Sequence, residues 1–326
     1  MQDTLNTFDA PMTSLPKAKW FGALKDIAEE EGFYAPLGPK HAAAFIEEGD
    51  TLLVTFESFQ GIQALSETGQ PLGFDLVRAM GWSHLGVVCD GETWFRTGEV
   101  YEFFDELTDD GFFDEFDRVI FYGAGPCGYA ATAFSVAAPG ATVVAIQPQA
   151  TLNPRLAGWD DRFTDLRAMD FTSRYGYAPD MSQGADQLYV IYDPREPLDA
   201  MHAALFHGPQ TTLLPVPGLG DTIQSDLLEM SVLFRILAKA GTGKLDPQSF
   251  YRLMRARRSH PPYLRNLLGA LDRDRRTALA EAEVEYKDIT SPAIFVRFPV
   301  VKAGDPAIER RAQPITVTPT GASEAA

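Results

Sequence analysis

The chain is poor in cysteine and in positive charge and has no long apolar run, and each shortage removes a class of function. Only two cysteines, Cys89 and Cys127, occur in 326 residues, at no metal-ligand spacing. So sparse a set builds no disulfide framework and fits a reducing compartment, where both are expected as free thiols. The 28 Lys and Arg stand against 45 Asp and Glu, for a formal net charge of -17. A phosphate backbone is bound through clustered basic side chains, so nucleic acid and anionic membrane surfaces are set aside as partners. No stretch approaches the ~18 consecutive apolar residues of a membrane span. The start, "MQDTLNTFDAPMTSLPKAKW", lacks the basic segment and apolar run of a secretory signal. The expectation is a soluble cytoplasmic protein.

What the chain does hold is enough apolar side chain, 45% of residues, for one large domain or two smaller ones. Short β-branched runs fall at 51–58, 84–89, 118–123, 142–149, 187–193 and 211–216. Between them lie helical patterns, such as 98–111 with Val100, Phe103, Phe104 and Leu107, and 197–208 with Leu198, Met201, Leu205 and Phe206. This alternation predicts an α/β fold, a mostly parallel sheet of about six or more strands sandwiched between helices. Helical periodicity alone follows the last strand, at 225–241, 246–259 and 263–287. The expected organisation is a poorly ordered start at 1–16, a core at 17–225, a helical C-terminal region at 226–301 and a disordered tail at 302–326.

The segment "FYGAGPCGYAATAF", residues 121–134, admits three chemistries. As G-x-G-x-x-G, Gly123, Gly125 and Gly128 would let a pyrophosphate approach a helix N-terminus. That fingerprint needs an acid at the end of the next strand to hold the ribose, and "AIQPQ" offers Gln147 and Gln149 instead. As a nucleophile elbow G-x-S-x-G, the segment puts Gly125 at the nucleophile. As a thiol site, it puts Cys127 in the first turn of a helix, whose N-terminus favours a thiolate. The alternative for Cys127 is a small buried filler.

"FDRVIFYGAGPCGYAATAFS", followed by "VVAIQPQATLNP" and preceded by "HLGVVCDGETWFR", resembles a group of bacterial α/β-hydrolase-like proteins whose elbow reads roughly Y-G-S-S-M-G-G-Y. The resemblance spans roughly residues 50–225 and rests on Tyr122-Gly123, Gly128-Tyr129, Pro148-Gln149 and Trp94-Phe95-Arg96. It implies a three-layer α/β-hydrolase-like fold. It also sets the family's serine on Gly125 and the following residue on Pro126. Such folds present the acid and then the histidine at later strand ends. Asp193 fits the acid, whereas the turn after the last strand, near Gly220, carries Asp221 where a histidine belongs. A base would have to come from His202, His207 or His260.

Other motifs dissolve on inspection. "AKAGTGKL" at 238–245 has Ala238 and Leu245 where a phosphate loop needs Gly and Ser or Thr, and its glycines read as a helix end. The C-terminal half lacks the cysteine of a sulfonucleotide reductase. The basic cluster at 252–265 reads as a solvated helical face, and the acidic, Phe-rich 105–117 as a helix end and loop rather than a cation site.

Three functions remain. The first is an α/β-hydrolase-fold protein with a degenerate triad that binds a small molecule or a protein partner in a cleft formed by Gly125, Pro126 and Gln149. The second is an enzyme using Cys127 as thiol nucleophile, for acyl transfer or sulfur chemistry such as a reduction, with Asp193 or Asp221 orienting a histidine or water. The third is a dinucleotide-binding oxidoreductase. No metal or cofactor is called for by the first two.

Overall fold

Strands buried on both faces need helices above and below them, and that requirement sets the architecture. In the computed structural model, which describes Phe8 and residues 10–273, eight strands form one sheet. They are β1 Gly32–Leu37, β2 His41–Ile46, β3 Thr51–Ser58, β4 Ser83–Cys89, β5 Arg118–Ala124, β6 Thr142–Ile146, β7 Gln187–Tyr192 and β8 Thr211–Pro215. Their order is β1-β2-β4-β3-β5-β6-β7-β8. β2 is antiparallel to β1 and β4, and every other pair is parallel. The described helices are α1 Lys17–Glu31, α2 Phe59–Leu65, α3 Gly73–Met80, α4 Gly98–Asp109, α5 Pro126–Phe134, α6 Pro154–Ala157, α7 Ala178–Met181, α8 Pro197–Leu205, α9 Ile223–Glu229, α10 Leu233–Gly241, α11 Pro247–Leu253 and α12 Pro261–Arg273. The fold is α/β, a mostly parallel eight-stranded sheet with helices packed on both faces.

Alternation along β2 assigns its neighbours to the two faces. Ala44 and Ile46 join Trp20, Leu24 and Ile27 of α1 and Phe74 of α3. Ala43 and Phe45 join Phe103 and Phe104 of α4 and Phe134 of α5. The second face is aromatic: Phe56 lies 5.4 Å from Phe134 and 5.7 Å from Phe104, both stacked. Helix α5 carries Ala130, Ala131 and Ala133, all fully buried, and these small side chains let it sit close to the sheet.

All six expected strands are present, and β6 stops at Ile146 because Gln147 turns at φ 47°. Two strands, β1 and β2, were not legible. "GFYAPL" contains proline and "HAAAFI" is rich in alanine, a helix former. Pro36 is tolerated because β1 is an edge strand, and β2 is held by pairing on both sides with all six residues buried.

Met12 is 1% exposed and its amide donates to the Thr68 carbonyl, while Gln70 Nε2 donates to the carbonyls of Phe8 and Ala10. The described part of 1–16 is therefore tied down. The described residues up to Leu253 fall in one compact unit and those from Met254 on in a second. The helix expected over 225–241 is two, α9 and α10, separated at Ser231 with φ 55°. Described residues of the second unit form a 3₁₀ segment, Met254–Ser259, and α12. The tail at 302–326 lies outside the described residues. Arg252, Arg255, Arg258 and Arg265 are exposed, as a solvated face requires, and α10 ends at Gly241, with Gly243 at φ 65° just beyond, so 238–245 is a helix end.

Trp94-Phe95-Arg96 forms a clamp. The Arg96 guanidinium donates to the carbonyls of Asp170 (2.6 and 2.8 Å) and Arg174 (2.5 Å) and lies over the rings of Tyr101 and Phe171. Trp94 packs edge-on against Phe163 and Phe171. Arg96→Ala is expected to cost about 2 kcal/mol in urea unfolding and to expose residues 170–174 to proteolysis; unchanged stability with unchanged cleavage would contradict the clamp.

Candidate functional site

A tight turn follows β5. Gly123 must lack a side chain, because a Cβ there would fall on the backbone carbonyl of Cys127, and at Gly128 it would press on the Ile146 carbonyl at 3.1 Å. These two glycines let α5 pack close against β5 and β6. Gly125, at the tip, adopts φ 57° and ψ -126°, a conformation strained for any residue with a side chain. Its amide donates to the Ile146 carbonyl at 2.8 Å, and a Cβ built on it would meet nothing within 4 Å. The tip is thus held from below and open above.

Asp193, just after β7, is 1% exposed and already engaged. Its Oδ2 accepts from the amides of Gly218 and Gly220, both at 2.7 Å, and its Oδ1 from the Arg195 amide at 2.9 Å. The carboxylate therefore anchors the turn after β8 rather than an imidazole. Asp221, the next residue of that turn, is exposed.

The histidines are placed elsewhere. His202 Nδ1 accepts from the Ala150 amide and its Nε2–H donates to Asp160 at 2.9 Å, with burial lowering its pKa. Asp160 and Asp199 share Arg162, and Gln147 Nε2 donates to Asp199 at 2.7 Å, so this network braces the ends of β6 and α8. His207 is exposed and bonds the Leu205 carbonyl, and His260 belongs to the second unit. No hydrogen bond among the described residues joins a histidine to Cys127. Gln149, expected in the cleft, is 3% exposed and absent from the cavity lining.

A cavity of about 870 Å³ opens at the carboxyl ends of β3, β4 and β5. Of the residues expected in the cleft, Pro126 lines it and Gly125 does not; Cys127 lines it too, together with Glu57 of β3, Cys89 of β4 and the aromatic wall of Trp94 and Phe95. Trp94 and Phe95 take φ of 54° and 56°, rare for bulky residues. Thr93 steadies their turn: its Oγ1 lies 2.7 Å from His41 Nε2 and accepts from the Phe95 amide.

Glu57, which sequence reasoning missed, is one of the titratable groups lining the cavity. Its Oε1 accepts from Thr55 Oγ1 at 2.8 Å, and both oxygens accept from the Leu72 amide at 3.1 and 3.2 Å. Thr55 in turn accepts from His84 Nε2 at 2.8 Å, since its own proton is spent on Glu57. Burial drives the His84 pKa to about 3, so the ring is neutral, and its Nδ1 has no partner among the described residues. The imidazole fits only because Gly73 and Gly86 leave room; a Cβ on Gly73 would enter the ring. Burial, opposed by the Leu72 and Thr55 hydrogen bonds, pushes Glu57 up to about 7. The signals were an acid closing the apolar run "TLLVTFES" and a histidine inside "SHLGVVC".

Both thiols are free, and both are held protonated. Burial pushes Cys89 up to about 11. Burial first, then Cys89 and Glu57, raise Cys127 well above the ordinary thiol value, overriding the helix N-terminus. Tyr122, wholly buried behind the turn, is raised for the same reason.

No known family model matches the chain. A 44-residue stretch is 52% identical to isoleucine–tRNA ligase of Caulobacter vibrioides, covering 14% of this chain and 4% of that enzyme. Among solved structures, the Gap123 glycosylation-associated complex of Streptococcus agalactiae aligns over 63% of this chain and 46% of its own, at 15% identity and a TM-score of 0.43. Carboxyl esterase 2 of Tuber melanosporum aligns over 65% and 85%, at 12% identity and 0.42. The esterase of Pyrobaculum calidifontis aligns over 70% and 92%, at 15% and 0.41. The chain thus spans under half of the Streptococcus chain it resembles. No described helix is long and apolar enough to cross a membrane.

Two measurements check this geometry. An acid whose pKa is about 7 when folded and 4.5 when free binds more protons in the folded state, so it costs stability as pH rises from 4.5 to 7 and no further above. Glu57→Gln should therefore gain stability relative to the parent across that window, by about 1–3 kcal/mol in urea unfolding at pH 8 against pH 5; a difference independent of pH would contradict the burial of Glu57. Iodoacetamide at neutral pH should label Cys127 far more slowly than a free thiol until the chain unfolds, and labelling at the rate of an activated thiol, lost in Cys127→Ser, would restore the thiol-enzyme reading.

Proposed function

We propose that this protein binds a small molecule in the cleft above the turn after β5 and carries out no serine-type acyl chemistry there. The observation that carries the reading is Gly125 itself. It holds the strained backbone of a nucleophile elbow, with open space where a side chain would stand, yet has no side chain to attack with.

Two further losses support it. The oxyanion hole of this fold uses the amide of the residue after the nucleophile, and here that residue is Pro126, which has no N–H. The base is missing as well, because Asp193 spends its oxygens on backbone amides and the turn it anchors offers Asp221. Nucleophile, oxyanion donor and base are separate contributions to acyl transfer, and a site without all three retains binding alone. The names of the esterases and of the glycosylation-associated complex describe those proteins; at these similarities they lend no substrate to this one.

The test is an activity probe with a restored side chain. Neither the natural protein nor Gly125→Ser should be labelled by a fluorophosphonate or hydrolyse p-nitrophenyl acetate above the rate of a denatured control. Gly125→Ser should fold, at a strain cost of about 1–2 kcal/mol, since the space is open. Labelling of the natural protein, or rapid ester hydrolysis by the variant, would overturn the reading.

A further inference from the structure

The cavity's lining has a one-sided charge. Glu57, Glu67, Asp75, Glu92 and Glu229 line it, and no Lys, Arg or His does. Three of these, Glu67, Glu92 and Glu229, are exposed and Glu57 lies half-buried deeper in. An anionic ligand entering here would lose its hydration without meeting a counter-charge, whereas a cation would meet carboxylates on its way in and at its destination.

The walls point the same way. Phe56, Trp94, Phe95 and Phe234 line the cavity with Ile62, Leu72 and Leu228. Aromatic faces attract ammonium groups as well as apolar bodies, and do so more strongly away from water. Trp94, 1% exposed, is fixed by its edge-on contacts with Phe163 and Phe171, so the face it offers to the cavity is a rigid one.

Resting on the binding reading above, we propose that the cavity accepts a cationic amine with an apolar body, its ammonium group received by the Glu57 carboxylate. Glu57 is built for this. Thr55 and the Leu72 amide fix the carboxylate from one side, and His84 fixes Thr55. A carboxylate oriented by neighbours loses little freedom on gaining a charged partner. The other groups acting on it are Asp75 of α3, Tyr122 of β5 and Cys127 of α5, none of them cationic. An arriving ammonium would be the first positive charge Glu57 meets in the cavity.

The probes are 4-phenylbutylamine, 4-phenylbutanol and 4-phenylbutyrate, which share a body and differ in charge, titrated calorimetrically into the full chain at pH 8. The amine should bind about tenfold or more tightly than the alcohol, the acid should bind weakest, and Glu57→Gln, with an unchanged circular dichroism spectrum, should abolish the amine's advantage. If alcohol and acid bind as well as the amine, the cavity is a binding site without charge selection, and the amine proposal falls while the binding reading stands. An amine advantage that survives Glu57→Gln removes Glu57 as its receptor and likewise overturns the proposal. If none of the three binds, both fall.

Discussion

The close seat of α5 on the sheet governs everything at its carboxyl edge. With glycine at 123 and 128 and alanine at 130, 131 and 133, the helix comes down until its first carbonyls nearly touch the strand below. The chain can enter such a helix only through a sharp turn, and Gly125 absorbs that turn at φ 57°. Strain of this kind persists only where the surroundings over-determine it. The neighbouring strand ends share the condition: Trp94 and Phe95 after β4 and Gln147 after β6 also have positive φ. Each is held by its own device, the Arg96 clamp and Thr93–His41 pair in one case, and Asp199 in the other. A row of braced turns gives a rigid rim, and a rigid rim is suited to selecting a ligand rather than closing over one.

The charged groups of this edge divide into two populations. Around β6 and α8, Asp160, Asp199, Arg162 and His202 satisfy one another and serve structure. Around β3, the acids face a cavity with no base on its walls. The overall acidity of the chain says little about function by itself. The local separation does, because burial holds Glu57 near pH 7 and no Lys, Arg or His lines the cavity beside it.

How much of this was legible depended on whether the signal was local. The six central runs announced themselves by β-branched content, and the glycine-rich turn by its spacing. β1 and β2 were hidden because alanine and proline contradict strand propensity, and pairing on a sheet edge overrode it. The absence of side chain at Gly125 was readable, but the strain that gives it meaning was not. Cys127 drew attention as a scarce residue beside a helix N-terminus, and burial reversed the expected effect on its thiol. Gln149 looked like a cleft residue only because β6 was taken to run three residues too far. Glu57 and His84 lie 27 residues apart in sequence and meet through Thr55 only because β3 and β4 pair in parallel register, with Thr55 opposite Gly86. No local pattern encodes that meeting.

The central claim is that this edge of the sheet holds a ligand without transforming it. Amide and methyl chemical shifts of the labelled protein, followed during separate titrations with 4-phenylbutylamine and with the ester 4-phenylbutyl acetate, test it directly. The account predicts saturable shifts confined to Glu57, the 93–95 turn and Cys127, with both compounds recovered unchanged. Cleavage of the ester, or an acyl adduct on any residue of the cavity, would contradict it.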